Sequence, residues 1–178
     1  MAKTQPEPIR DPETDNLLTP QNCALVLIDY QPEQYRTITS STRDEIDLNV
    51  IALCRLARAY DIPVIVSTVG VDMGVNTGTA KEIMDELPGV AEIDRTGVNA
   101  WEDDEFRRAI EATGRRKIVM AGLWTEVCLT FPTLDMQAKG YQVYPVADAV
   151  GGISRVAHDR ALERMQAAGA TPITAIQF

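Results

Sequence analysis

From Cys23 onward the chain alternates short apolar runs with segments of helical spacing. Ala24-Leu25-Val26-Leu27-Ile28 is an unbroken apolar run closing on Asp29, and Val64 to Thr68 is a second run of strand length. Because side chains alternate between the faces of a strand, continuous runs of this length predict strands buried on both faces. Between them, Asp44 to Tyr60 repeats apolar residues at Ile46, Val50, Leu53 and Ala57, a helical period that Pro63 brings to an end.

The same reading predicts a short helix over Thr79 to Leu87 after a glycine-rich loop, and a short third strand near Ala91 to Asp94. A helix over Asp103 to Thr113 follows, with Phe106, Ala109 and Ile110 on one face and Gly114 as its stop. Lys117-Ile118-Val119-Met120-Ala121-Gly122 reads as a fourth strand, turning at Gly122 into a helix that runs to about Lys139-Gly140. A fifth strand over Gln142 to Val146, a helix over Ser154 to Ala168 and a sixth strand over Thr171 to Ile176 complete the series. Strands alternating with helices imply α/β class: a single-domain, three-layer α/β/α unit of Rossmann-like type around a six-stranded, mainly parallel sheet. Residues 1–20, with Pro6, Pro8, Pro12 and Pro20 among polar residues, are expected to form an extended N-terminal arm, leaving 21–178 as the domain.

Composition changes this picture only by exclusion. Seventeen Lys and Arg against 26 Asp and Glu give a formal charge of -9, and no long basic cluster is present, so a nucleic-acid partner is not expected. The apolar runs are too short to span a membrane, and the N-terminus lacks the apolar core of a secretory signal. A cytoplasmic location and no membrane partner are the expectation. Three cysteines without CxxC spacing suggest reduced thiols rather than disulfides or a zinc site, with Cys23 and Cys54 read as small core residues.

Candidate chemistry sits at strand ends, where parallel sheets bind ligands. Asp29 follows the first strand, Arg95 the third and Cys128 the fourth, so all three can face one crevice. A cysteine in the first turn of a helix meets partial positive charge, which favours the thiolate; a carboxylate can take its proton, and a cation can hold the pair together. Taken singly, Asp29 fits a capping or ion-pairing role equally well, Arg95 a structural one, and Cys128 an inert core position.

Together with their surroundings these residues carry a resemblance. Val26-Leu27-Ile28-Asp29-Tyr30-Gln31, the loop Arg95 to Trp101, Ala121-Gly122-Leu123-Trp124-Thr125-Glu126-Val127-Cys128, and Asp148-Ala149 with His158, Arg164-Met165 and Ala168-Gly169-Ala170 resemble the isochorismatase-like cysteine hydrolase superfamily from about Cys23 to the last strand. The resemblance implies Cys128 as nucleophile, Asp29 as general base and later acid, and Arg95 at the position of a triad lysine. It also implies a cis peptide at Leu123-Trp124 that aims backbone N–H groups near Thr125 and Cys128 at an oxyanion. Arginine stays protonated and offers a planar fork, so it can stabilise charge without trading a proton.

The implied reaction is hydrolysis of a small amide, ureide or related acyl substrate through a thioester, with Tyr30, Gln31, Tyr35, Asn99, Trp101, Trp124 and Phe131 as candidate pocket residues. The aromatics fit core or subunit packing equally well. Metal-dependent nicotinamidases resemble this group but use an aspartate and two histidines; with one histidine, His158, and Asp72 alone, no metal or other cofactor is expected here. Isochorismatases that cleave vinyl ethers often carry glycine where Cys128 stands, so the cysteine points to amide chemistry. The resemblance further implies a homo-oligomer, tetramer or octamer; relatives usually continue into another helix at the point where this sequence ends, Phe178. Two other classes stay open: a weakly catalytic assembly protein and a thiol-based redox or electrophile sensor.

Overall fold

Every residue of β1 (Cys23–Ile28) and β4 (Lys117–Gly122) is buried, and because successive side chains point to opposite faces, both faces of the sheet are covered. The computed structural model describes residues 15–178. Around these two strands lie β2 (Val64–Val69), β3 (Glu92–Arg95) and β5 (Gln142–Pro145), all parallel, in the order β3-β2-β1-β4-β5. The connections carry α1 (Pro32–Tyr35), α2 (Arg43–Ala59), α3 (Lys81–Met84), α4 (Asp104–Ala112), α5 (Thr130–Ala138) and α6 (Arg155–Ala167). Strand order reverses between β1 and β4, so the crevice beyond their carboxyl ends is the expected ligand site.

Local chemistry explains the longer helices. Thr42 and Glu45 form a reciprocal capping box at the start of α2, and Ile46, Val50, Leu53, Cys54 and Ala57 form its buried stripe. Asp103 caps α4 through the Phe106 N–H, and Ser154 caps α6 through the Ala157 N–H. The short 3-10 turn Ala100–Glu102 and helix α1 are elements that the apolar pattern does not signal.

Among the described residues the sheet has five strands, not six. Thr171 to Ile173 does run beside β5: the Thr171 and Ile173 N–H groups donate to the Val143 and Pro145 carbonyls, and Val146 bridges Ile173. Pro172 has no N–H, and Ala175 N–H turns away to Asp148 Oδ1, so the chain leaves the sheet as a 3-10 turn over Ala175–Gln177. The helix expected over Thr79 to Leu87 shrinks to α3, because Thr79 and Ala80 direct their N–H groups to Glu92 Oε1 and the Tyr30 carbonyl.

Of the arm expected over residues 1–20, residues 1–14 lie outside the described residues. The buried Lys117 ammonium at the amino end of β4 donates to the Asp15 and Leu17 carbonyls, which joins this stretch to the sheet. Among the described residues, no helix is long and apolar enough to cross a membrane.

Candidate active site

Three strand ends converge at the β1/β4 switch. Ile28 pairs with Ser67 on β2 and with Gly122 on β4, and the ladder continues past the strands through Asp29 N–H to the Ser67 carbonyl and Leu123 N–H to the Ile28 carbonyl. A Cβ on Gly122 would lie 3.1 Å from both Ile28 Cβ and Ile28 O, so glycine permits the close approach of the two strand ends. Asp29 then adopts φ 59°, the left-handed region that aspartate tolerates better than most residues.

The Asp29 side chain is fully buried against Arg95. Arg95 Nη1 donates to Asp29 Oδ1 and Nη2 to Asp29 Oδ2, each at 2.7 Å, a bidentate fork. Nη1 also reaches Ser67 Oγ at 3.0 Å and the Thr68 carbonyl at 2.9 Å, and Nη2 the Val98 carbonyl at 3.2 Å. Burial alone would lower the Arg95 pKa, but the hydrogen bond and charge of Asp29 outweigh it and raise it, so the cation is permanent.

Cys128 completes the cluster. Its thiol is 6% exposed and senses both partners: burial first, then the charge of Asp29 and hydrogen bonding to it, raise its pKa, while the Arg95 charge and the Trp124 N–H lower it by less. The net direction is strongly upward, so the resting residue is a neutral thiol. This corrects the expectation that a helix start would by itself yield a thiolate. The segment is also not an α-helical first turn: Thr125–Leu129 forms a π-helical turn, with Leu129 N–H donating to the Trp124 carbonyl, and α5 begins only at Thr130.

The Leu123-Trp124 peptide is cis. Of the residues expected to supply oxyanion donors, Leu123 and Thr125 direct their N–H groups to the Ile28 and Gly151 carbonyls, whereas the backbone hydrogen bond of Trp124 lowers the Cys128 pKa. Thr125 is held at its other two polar groups as well, by His158 Nδ1 at its hydroxyl and by the Thr130 hydroxyl at its carbonyl.

The expected pocket residues divide. Tyr30, Gln31 and Tyr35 belong to the scaffold: Tyr30 donates to the Ala149 carbonyl, and Tyr35 donates to Asp47 beneath the Arg43 guanidinium. Gln31 Nε2 donates to the Val69 and Thr77 carbonyls and Oε1 accepts the Val69 N–H, clamping the loop after β2. Asn99 caps the Ala100–Glu102 turn and donates to Asp135, and Trp101 packs edge-on against Tyr141 at 5.6 Å. Trp124 Nε1 donates to the Gln34 carbonyl, and Phe131, three residues beyond Cys128, is 36% exposed.

Sequence reading missed Ser67, which orients Arg95, and Gly151, which receives the Thr125 N–H. The signal for Ser67 was available: a small polar residue ending an apolar run beside two others that end in chemistry. Asp72 and His158 lie apart from a common ligand set, and among the described residues no three His, Cys, Asp or Glu side chains are grouped to hold a metal ion.

Residues 23–177 match the isochorismatase domain family. The chain is 32% identical over 158 residues to the Escherichia coli (strain K12) protein named "Probable hydrolase YcaC", covering 88% of this chain and 76% of that protein. Among solved structures it is similar to YcaC from Pseudomonas aeruginosa, determined with hexane-2,5-diol and covalent acrylamide, at 34% identity and a TM-score of 0.87, covering 92% and 81% of the two chains. The Escherichia coli YcaC structure, described as an octameric hydrolase of unknown specificity, aligns at 32% identity and a TM-score of 0.86 over 92% and 80%.

Proposed function

The chain belongs to the isochorismatase family, and on that footing we propose that it is a cysteine-dependent hydrolase of a small amide, ureide or related acyl compound. The observation that carries the reading is the buried Asp29 carboxylate, held by the Arg95 fork and acting on the Cys128 thiol. A neutral thiol beside a fixed carboxylate is suited to general-base catalysis, in which the proton leaves sulfur as the new bond forms.

In this reading Cys128 Sγ attacks the carbonyl carbon while its proton passes to Asp29. The tetrahedral oxyanion is received by backbone N–H groups near Trp124 and Cys128. Asp29 returns the proton to the leaving nitrogen as the C–N bond breaks, leaving a thioester. Water, deprotonated by Asp29, then attacks that thioester; the acid leaves, and the proton returns to sulfur. Arg95 gives up no proton and keeps Asp29 aimed and charge-balanced throughout.

Two properties of relatives support this assignment. Acrylamide is an electrophile that cysteine sulfur attacks, and the Pseudomonas aeruginosa relative carries it covalently. The octameric Escherichia coli relative supports a homo-oligomer for this chain. A thiol-based sensor would need an accessible thiolate, and the buried, neutral Cys128 favours the hydrolase reading over it.

The test is turnover of a panel of small amides and ureides, followed by intact-protein mass spectrometry for an acyl adduct. Wild type is expected to hydrolyse a member of the panel and to carry the adduct, and Cys128→Ala to do neither. Adducts forming equally on Cys23 or Cys54 would overturn the assignment.

A further inference from the structure

We propose that His158 is a positioning residue for Cys128, acting through Thr125; the proposal rests on the reading of Cys128 as the nucleophile. His158 is the only histidine in the chain and is 8% exposed on α6, with Nδ1 at 2.9 Å from the buried Thr125 hydroxyl. Thr125 lies between the two backbone features that serve the thiol. Before it is Trp124, whose backbone hydrogen bond lowers the Cys128 pKa, and from Thr125 itself runs the π-helical turn that carries Cys128.

Each polar group of Thr125 has one partner from a different place in the fold. Its N–H donates to Gly151 O at 3.0 Å, its carbonyl accepts from the Thr130 hydroxyl at 2.7 Å, and its hydroxyl meets His158. Gly151 is itself packed tightly against α2 and the loop before it: a Cβ there would lie 2.7 Å from Ile38 Cγ2 and 2.8 Å from Ile46 Cδ1. Thr125 therefore joins the cysteine turn to the loop after β5, to helix α6 and to the start of α5, and His158 supplies the one contact of the three that can titrate.

The charged groups around the ring are Arg155 and Asp159 on α6 and Glu126 on the cysteine turn, with Glu45 of α2 and Asp148 of the loop after β5 lining the same cleft of about 430 Å³. Burial and Arg155 lower the His158 pKa against the opposing pull of Asp159 and Glu126. The neutral ring can accept the Thr125 hydroxyl proton at Nδ1. A protonated ring has only donors, so the hydroxyl must turn from donor to acceptor and the hydrogen bond reverses its direction.

The experiment measures the rate of Cys128 alkylation by iodoacetamide against pH, together with turnover of the amide panel, on the full chain. Variants are His158→Leu, His158→Asn, Thr125→Val and the double variant His158→Leu/Thr125→Val, each checked for native circular dichroism and subunit state. His158→Leu and Thr125→Val are expected to change the alkylation rate by roughly tenfold each, and the double variant by no more than either single one, because the two residues act as a unit. His158→Asn, whose amide oxygen can accept the same hydrogen bond, is expected to recover most of the wild-type rate while losing the wild-type pH dependence between about pH 5 and 7.

Additive losses in the double variant, or His158→Asn behaving like His158→Leu, would overturn the proposal. Thr125→Ser, which keeps the hydroxyl, stands in for Thr125→Val if that variant does not fold, and is expected to follow the wild-type profile. Alkylation reports on the thiol without substrate. Retained turnover in Cys128→Ala would therefore remove the nucleophile reading while leaving the alkylation results to judge the His158 contact.

Discussion

Arg95 holds both carboxylate oxygens of Asp29 at 2.7 Å, and the two side chains are 1% and 0% exposed. A lysine at this position would offer one point charge on a flexible stem; the guanidinium fixes both oxygens in one plane and reaches Ser67, Thr68 and Val98 besides. Removing one member of a buried pair leaves the other charged and desolvated, which commonly costs about 3–5 kcal/mol. Arg95→Met is expected to lose stability on that scale in urea unfolding. Arg95→Lys, which keeps the charge but not the fork, should lose about 1–3 kcal/mol. A methionine variant as stable as wild type would show that the pair does not hold the strand ends together.

Asp29 raises the Cys128 pKa, so removing its charge should have opposite effects on the thiol and on turnover. In Asp29→Asn the carboxylate no longer opposes ionisation while Arg95 still favours it, and the thiol titration followed by ultraviolet absorbance is expected to move to lower pH. Turnover of the amide panel is expected to vanish, because no base remains to take and return the proton. A titration that stays in place or moves upward would contradict the arrangement.

The three thiols should also separate by access. Burial pushes Cys23 up to about 11 and Cys54 up to about 12, and both side chains are fully buried, whereas Cys128 is 6% exposed. Alkylation of the native protein followed by peptide mapping is expected to label Cys128 first, with the other two reacting only on unfolding. Equal labelling of Cys54 under native conditions would mean that α2, which carries it, comes away from the sheet readily.

Gln31 binds the end of β2 to the loop beyond it through three hydrogen bonds. Gln31→Leu removes the partner of the Val69 N–H and of the Thr77 carbonyl, while the Val69 carbonyl keeps Asn76 Nδ2, at a cost of about 1–3 kcal/mol in all. Hydrogen exchange should accelerate at Val69 and in the loop 70–77 and stay near wild type in β4. Uniform acceleration would show that the whole domain, not the loop, depends on Gln31.

His158 connects pH to stability as well as to the thiol. Its folded pKa lies below the ordinary 6.5, so between the two values the unfolded chain binds the proton and the folded chain does not. The stability this residue contributes is therefore complete above about pH 6.5 and declines as pH falls through the folded value. The difference in melting temperature between wild type and His158→Asn is expected to shrink or reverse on acidification across that window. A constant difference would mean that His158 does not titrate there.

The apolar runs over residues 24–28, 64–66 and 118–122 are legible without coordinates, because strands buried on both faces are apolar over most of their length. So are the long helices, whose stripes and caps are local in sequence. The placing of Asp29, Arg95 and Cys128 at strand ends follows from those runs and a topological rule. What could not be read is where the pattern is set by partners far along the chain. The segment Thr171 to Ile176 has strand composition and fails to continue as a strand because Pro172 and the Asp148 contact divert it. Tyr30, Gln31 and Tyr35 stand next to Asp29 in sequence, yet their polar groups are claimed by Ala149, Val69, Thr77 and Asp47.

The sequence alone determined the parallel α/β architecture and the residue types gathered at one end of the sheet, since both depend on short-range periodicity and connection rules. Only the tertiary structure decided the direction in which the Cys128 pKa moves and the partners of Arg95. Those depend on desolvation and on charges brought together from three different strand ends, which no local pattern of residues encodes.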